Sequence, residues 1–370
     1  MTKVFDIAVL AGDGIGPEVT EPCLSILKRA AGGTDAFDLR FHAVSAGAEA
    51  YRETGVSLGE QSLEVARAAD AILLSAMGLP DIRYPDGTEI APQLELREAL
   101  ELYAGVRPVR TIPGLPPVLS DPRAASLDLM LVRESTEGLF AARGRTEIDD
   151  DAVARDTMVI TRPVCEKLFD FSLNLGRRRK ADGFQGRVTC VDKANVLGAF
   201  AFFRKVFDER AVAFPDLQVD HAYVDAVGLN LLKSPWTFDV LVTENMFGDI
   251  LSDVGAALMG GMGFAPSADI GDRHAVFQPC HGSAPDIAGQ GKANPTAMFL
   301  SGAMMLDWLG DTQGCPQARQ AAAAIDAAIH AAFSDGDLKP FEVGGRAGTR
   351  AISDAVLDAL GPAVGQPAPA

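Results

Sequence analysis

Asp249 and Asp253 stand four residues apart in Asn245-Met-Phe-Gly-Asp249-Ile-Leu-Ser-Asp253, just after an apolar run at 238–243 that reads as a buried strand. If a helix follows that strand, both carboxylates project from one face and could chelate a single cation. Two bare carboxylates in one helical turn repel wherever water cannot fully screen them, and a hard divalent ion relieves that repulsion. Oxygen ligands of this kind favour Mg²⁺ or Mn²⁺ over Zn²⁺, which prefers His and Cys. An exposed helix face accounts for the pair equally well at this point, so the rest of the chain has to decide.

Positioning such a pair requires strands that end where the chemistry is. Apolar residues at 4–10 run into Gly12-Asp13-Gly14-Ile15-Gly16-Pro17, after which Val19, Cys23, Leu24, Ile26, Leu27 and Ala30 fall at helical spacing. The G-x-G-x-G spacing differs from the dinucleotide fingerprint G-x-G-x-x-G, and no acidic residue ends a second strand about 20 residues on. A tight structural turn is the better reading. Further strands are predicted at 37–43, 71–75, 127–132, 187–191 and 219–224, and helices at 61–69, 91–103, 195–207 and 316–333. The alternation implies a mostly parallel sheet with helices on both faces. Polar residues follow strand ends at Asp192-Lys193 and at Asp225, where sheets of this class place their ligands.

Between these elements, Pro113-Gly-Leu-Pro-Pro117 suits a passage between domains, 144–161 suits a protruding hairpin or arm, and 260–266 a turn or hinge. Arg177-Arg-Arg-Lys180 falls at a predicted helix end, where cations suit the helix dipole; a solvated helix end is favoured over a nucleic-acid site. The tail at 361–370 is compositionally disordered.

The net charge of −17 over 370 residues argues against nucleic acid and acidic membranes as partners. An anionic small molecule remains compatible, given a local cluster of arginines. No stretch approaches the roughly 18 uninterrupted apolar residues of a membrane span, and the N-terminus is charged where a signal peptide is apolar, so a cytoplasmic protein is expected. Cys23, Cys165, Cys190, Cys280 and Cys315 are scattered and odd in number, as expected of reduced thiols.

Taken in order, these motifs resemble those of the β-decarboxylating dehydrogenases, the family of isopropylmalate, isocitrate, homoisocitrate, tartrate and D-malate dehydrogenases. The resemblance runs from Gly12-Asp-Gly-Ile-Gly-Pro17 to Gly345-Arg-Ala-Gly-Thr349. Its most specific pieces are Val191-Asp-Lys-Ala-Asn195, Asn245-Met-Phe-Gly-Asp-Ile-Leu-Ser-Asp253 and His281-Gly-Ser-Ala-Pro-Asp-Ile-Ala-Gly289. It implies an α/β, isopropylmalate dehydrogenase-like two-domain fold with a mostly parallel sheet, not a Rossmann fold. An outer domain would comprise 1–102 plus 260–370, and a central domain, 103–259, would carry the dimer contacts, the arm and the metal aspartates. In the family a metal-bound 2-hydroxy acid is oxidised by a nicotinamide cofactor, loses CO₂, and is reprotonated as the enol.

Carried over by motif, Arg97, Arg107 and Arg133 would hold the substrate carboxylates, and Asp225, Asp249 and Asp253 the Mg²⁺ or Mn²⁺. Lys193 resembles the family's base for the hydroxyl proton, with a pKa expected to be depressed by the metal. Lys193 and Asp225 would complete the partner chain's site in a homodimer. The cofactor loop maps onto His281, Gly282, Ser283, Ala284, Asp286, Ile287 and Asn294, and Asp286 favours NAD by accepting from the ribose hydroxyls and repelling a 2′-phosphate.

The chain also departs from the family. Phe140 stands where a tyrosine would donate the proton to the enol, and a phenyl ring cannot donate. Three expectations follow: water or a nearby hydroxyl such as Ser135 substitutes, or the keto product leaves without decarboxylation, or the chain is a low-turnover metabolite-binding paralogue. Gln93 and Leu94 precede Arg97 on the helix that chooses the substrate, and an amide at Gln93 points towards a small or polar substituent, as in malate or tartrate. 3-Isopropylmalate dehydrogenase proper stays open as an alternative. Gln278 stands where many relatives carry Glu, and a neutral amide there is expected to lower the negative charge near the nicotinamide.

Overall fold

The apolar runs become strands because both of their faces are covered. In β1 (Lys3–Leu10), Ile7 and Val9 pack into one core cluster, while Ala8 and Leu10 pack into another; strands buried on both faces read as continuous apolar sequence. The structure is a computed structural model and describes residues 2–361. After β1 come α1 (Gly16–Ala31), β2 (Phe37–Ala43), α2 (Ala48–Thr54), α3 (Glu60–Ala68), β3 (Ala71–Leu74), α4 (Pro92–Ala99), β4 (Ala104–Arg110) and β5 (Asp128–Glu134). A small hairpin of β6 (Glu147–Asp149) and β7 (Val153–Arg155) follows, then α5 (Arg162–Ala181), β8 (Arg187–Asp192), α6 (Gly198–Ala211), β9 (Gln218–Tyr223) and α7 (Val224–Lys233). The chain continues through β10 (Val240–Thr243), α8 (Asn245–Leu258), β11 (Pro266–Ile270), β12 (Ala275–Pro279), α9 (Thr296–Thr312), α10 (Pro316–Phe333) and α11 (Thr349–Leu360).

Ten strands form one sheet in the order β2-β1-β3-β12-β11-β4-β5-β10-β8-β9. Strands β2-β1-β3-β12 are mutually parallel, and so are β5-β10-β8-β9. Between them, β11 and β4 run antiparallel to each other, β11 to β12, and β4 to β5. The sheet is therefore mostly parallel, with an antiparallel seam at its centre.

Several predicted boundaries move. The helix expected at 91–103 stops at Ala99, because Glu101 takes a positive φ of 52° and the chain turns into β4. That strand was hidden by Gly105, Arg107 and Pro108, which interrupt its apolar pattern. The Pro-rich link at 113–117 joins β4 to its antiparallel neighbour β5. The basic run ending α5 is only partly solvated: Arg179 is buried, bonded to Asp239 at 2.5 Å and to Asp128 at 2.9 Å, and so ties the helix to the sheet. All five cysteines are free, and four are buried. No helix among the described residues is long and apolar enough to cross a membrane. The tail expected to be disordered, past 361, lies outside the described residues.

Candidate active site

The antiparallel seam carries the polar side chains. Gly105 of β4 pairs with Asp269 of β11 on one side and Arg133 of β5 on the other, so these three positions share one face of the sheet. Arg107, two residues on, faces the same way, and so does Gln278 of β12, which pairs with Ser267. The glycine is required: a Cβ at Gly105 would lie 2.6 Å from Ser135 Oγ and 3.1 Å from Asp269 Oδ1. Arg97 approaches from α4 and donates Nε–H to Asp269 Oδ2 at 3.0 Å. Arg107 Nη2 lies 3.5 Å from Asp269 Oδ1, Gln278 donates to Oδ2 at 2.7 Å, and Ser135 donates to Oδ1 at 3.2 Å.

Asp269 was not picked out from the sequence, yet it is fully buried and ties two of the three arginines together. Burial alone would push its carboxyl up; Arg97, Arg107 and Arg133 outweigh that and hold it below the usual carboxylate range. The Gln278 amide donates to this carboxylate, so a negative charge stands one strand over, 2.7 Å from it. The available signal was a lone acid within an apolar strand.

Arg133 is held by α8. Its Nε and Nη2 donate to Asn245 Oδ1 at 2.9 and 2.6 Å, and its Nη1 pairs with Asp249. A Cβ at Gly248 would come within 2.6 Å of Arg133 Cβ, so a glycine there lets the arginine lie against α8. Burial, followed by the like charge of Arg97, pushes the Arg133 guanidinium down to about 10. Glu244 caps α8 by accepting from Phe247 N–H at 3.3 Å and also accepts from Leu139 N–H at 3.2 Å, fixing the turn that carries Phe140. The Phe140 ring lies 5.2 Å from the Arg133 guanidinium.

Asp249 and Asp253 fall on α8, as the spacing required, and both line a cleft of about 860 Å³ with Arg97, Arg107 and Arg133. Burial, then the like charge of Asp249, raises the Asp253 carboxyl. Gln93, Leu94, Phe140, His281 and Gly282 line the same cleft. Lys193 and Asp225 do not. They pair with each other at 2.5 Å, Lys193 at the end of β8 and Asp225 in the first turn of α7. Among the described residues no three acidic, His or Cys side chains come together as a metal cage within one chain.

The turn at Gly12 to Gly16 is structural, and it supports the predicted cofactor loop. Ile15 N–H donates to Ser283 O at 2.8 Å, and a Cβ at Gly14, whose φ is +58°, would lie 2.1 Å from that oxygen. Asp13 accepts from the backbone N–H of Ala48, Glu49 and Gly78 at 2.7, 2.9 and 2.7 Å. Ser283 bonds Gly78 O, Ala284 takes a positive φ of 36°, and Ile287 packs on the core. Asp286 is exposed. His281 Nδ1 donates to Gly282 O at 3.0 Å, leaving Nε2 buried without a partner. Asn294 is more occupied than expected, since it donates to Glu342 at 2.5 Å and accepts from Thr296 Oγ1 at 2.6 Å.

Comparison with known proteins identifies the family. The isocitrate/isopropylmalate dehydrogenase family profile matches residues 6–356. The chain is 40% identical over 316 residues to the 3-isopropylmalate/3-methylmalate dehydrogenase of Methanocaldococcus jannaschii, covering 85% of this chain and 89% of that one. It is also 40% identical over 343 residues to the 3-isopropylmalate dehydrogenase of Salinibacter ruber, covering 91% and 90%. The crystal structure of isocitrate dehydrogenase from Methylococcus capsulatus superposes with a TM-score of 0.83 at 33% identity, over 96% of this chain and 99% of that one. The chain therefore belongs to the isocitrate/isopropylmalate dehydrogenase family of β-decarboxylating hydroxy-acid dehydrogenases, and is an oxidoreductase of that kind.

Proposed function

We propose that the chain is an NAD- and Mg²⁺- or Mn²⁺-dependent dehydrogenase that oxidises, with decarboxylation, a (2R)-hydroxy dicarboxylic acid of the malate, tartrate or 3-alkylmalate class. The observation that carries this is the convergence of three buried guanidinium groups and two α8 carboxylates on one cleft. A planar guanidinium fork binds a carboxylate bidentately, and an array of three fixes a dicarboxylate's orientation.

The residues fit both groups. Asp253 and Asp249 form a like-charged pair that a divalent ion would relieve. The loop at 281–289 offers an unpaired buried acceptor at His281 Nε2 and an exposed carboxylate at Asp286. When bound, the ion would act as a Lewis acid at the substrate hydroxyl and NAD would accept the hydride. Arg97, Arg107 and Arg133 then hold the carboxylates, including the one that leaves as CO₂. Lys193 takes the hydroxyl proton.

Lys193 and Asp225 act, in this reading, in the site of a second chain. Leu229 and Leu232 on α7 and Ile250 on α8 are large apolar residues more than half exposed, on the two helices that bear Asp225 and the metal aspartates. Packing two copies through these helices would bury them and bring Lys193 and Asp225 towards the partner's α8. Domain boundaries at 102/103 and 259/260 belong to the same reading. They divide the sheet between β11 and β4, with β2-β1-β3-β12-β11 on one side and β4-β5-β10-β8-β9 on the other.

Phe140 supports a second reading, oxidation without decarboxylation, because its ring offers no proton to an enol. One assay separates the two. D-malate, the tartrates, 3-alkylmalates and isocitrate are each incubated with NAD and Mn²⁺, and NADH and CO₂ are followed together. Equal NADH and CO₂ is the expected result, NADH without CO₂ selects the second reading, and no NADH from any of them contradicts both.

A further inference from the structure

One end of the cleft carries polar groups that the reaction steps leave unused. On α4, Glu95 Oε1 accepts from Ser57 Oγ and from the Tyr84 hydroxyl, each at 2.8 Å, and those two oxygens are themselves 2.8 Å apart. Two separate segments thus hold the carboxylate of α4 in place. The Tyr51 ring packs edge-on against Tyr84 at 5.2 Å, and Tyr84 N–H donates to Thr88 O at 2.9 Å, closing the turn that presents the phenol. Tyr84 and Glu95 line the active-site cleft together with Gln93. Gln93 Oε1 is buried and has no hydrogen-bond partner. A buried carbonyl left this way is held at a cost until a donor arrives.

The two walls of the cleft are chemically opposite. Arg97, Arg107 and Arg133 offer donors and positive charge; the α4 end offers acceptors, the Glu95 carboxylate and Gln93 Oε1. Asp269 pairs with Arg97 and Arg107, and Asp249 pairs with Arg133, so two of the three arginine charges are already offset and the wall has no charge to spare for a third substrate carboxylate. Arg143 also reaches the cleft, but it is exposed and shares its rim with the carboxylates of Asp86, Glu89 and Glu95.

We propose that the Glu95 wall selects the substrate, and that it accepts a substituent carrying a hydrogen-bond donor, such as a hydroxyl, over an alkyl group or a third carboxylate. An alkyl group would leave Gln93 Oε1 unpaired and strip water from Glu95. A third carboxylate would meet like charge. The inference rests on the dehydrogenase reading for one point only, that the arginines hold the two carboxylates.

The test is equilibrium binding by calorimetry with Mn²⁺ and no NAD, comparing the tartrate stereoisomers, D-malate, 3-isopropylmalate and isocitrate. The best tartrate is expected to bind at least about tenfold more tightly than 3-isopropylmalate or isocitrate. Glu95→Gln, which keeps the size and one acceptor, should cut that preference about tenfold, and Ser57→Ala should lower it about two- to threefold in the same direction. Thermal unfolding of each variant checks that it is folded. Tightest binding of 3-isopropylmalate or isocitrate by the unmodified protein overturns the proposal, and so does an unchanged preference in folded Glu95→Gln. Binding of no dicarboxylate overturns both the proposal and the reading beneath it. Tight tartrate binding without NADH once NAD is added removes the dehydrogenase reading and leaves the donor preference standing.

Discussion

The arginine wall and the metal-and-base region satisfy their charges in different ways. Arg97, Arg107 and Arg133 are buried, and each has its counter-charge or acceptor in the same chain, in Asp269, Asn245 or Asp249. The Asp249 side chain is 52% exposed, and Lys193 and Asp225 pair away from the cleft at 27% and 67% exposure. Burying a charge without a partner is prohibitive, so the fold itself must complete the first region. The second region pays no such penalty, because its charges are partly exposed. A self-contained arginine wall therefore sits beside a region that, in the proposed reading, a second chain completes.

The strongest way to break this comparison is to remove the proposed base. Lys193→Ala should lower kcat by about 10²–10⁴-fold, the range for a lost general base, with little change in dicarboxylate binding. A large loss of binding instead would put the lysine in the anion wall. Next in size is Asp269→Asn, which leaves the buried arginines without their shared anion and should cost about 3–5 kcal/mol in chemical denaturation. The pH dependence has a definite sign. The folded-state pKa of Asp269 is depressed, so its contribution is present above the ordinary aspartate range and is lost as pH falls through the lowered value. Asp269→Asn should flatten that acid limb.

Two smaller effects sharpen the picture. Phe140→Tyr restores a donor at the turn beside Arg133 and should raise the turnover rate about a hundredfold, at the low end of proton-transfer catalysis, with the CO₂-to-NADH ratio unchanged at one. No change would mean that another group already supplies the proton. The raised Asp253 pKa makes protons compete with metal at a higher pH than for an ordinary aspartate. Mn²⁺ affinity should therefore weaken on acidification from above the usual carboxylate range, and Asp249→Asn, though it weakens binding overall, should move that onset to lower pH.

Wherever chemistry and spacing coincide, the sequence was legible. Asp249 and Asp253 could be placed on one helical face from a four-residue interval and the apolar strand before it. The Gly12 to Gly16 turn read correctly as structural because its spacing differs from a phosphate loop. The antiparallel seam did not show, because β4 mixes glycine, proline and two arginines within a buried strand and has no periodicity to find. Asp269 was missed for a related reason: its role exists only once strand register sets it beside Gly105, across from Arg133, with Arg107 two residues along. The Glu95, Ser57 and Tyr84 cluster draws on three distant segments, which spacing rules do not connect.

The most direct test of the central claim, that the anion wall is complete in one chain while the base and one metal ligand come from the other, is subunit complementation. Lys193→Ala and Asp249→Asn proteins, each inactive alone, are mixed, unfolded and refolded together, and NADH formation from the best substrate is measured. In a mixed dimer one site would combine the intact Asp249 of one chain with the intact Lys193 of its partner. Random pairing makes half the dimers mixed with one working site each, so activity should return to about a quarter of the unmodified level. If each site is built within a single chain, every site in the mixture carries a lesion, and activity that stays at the level of the separate variants would contradict the account.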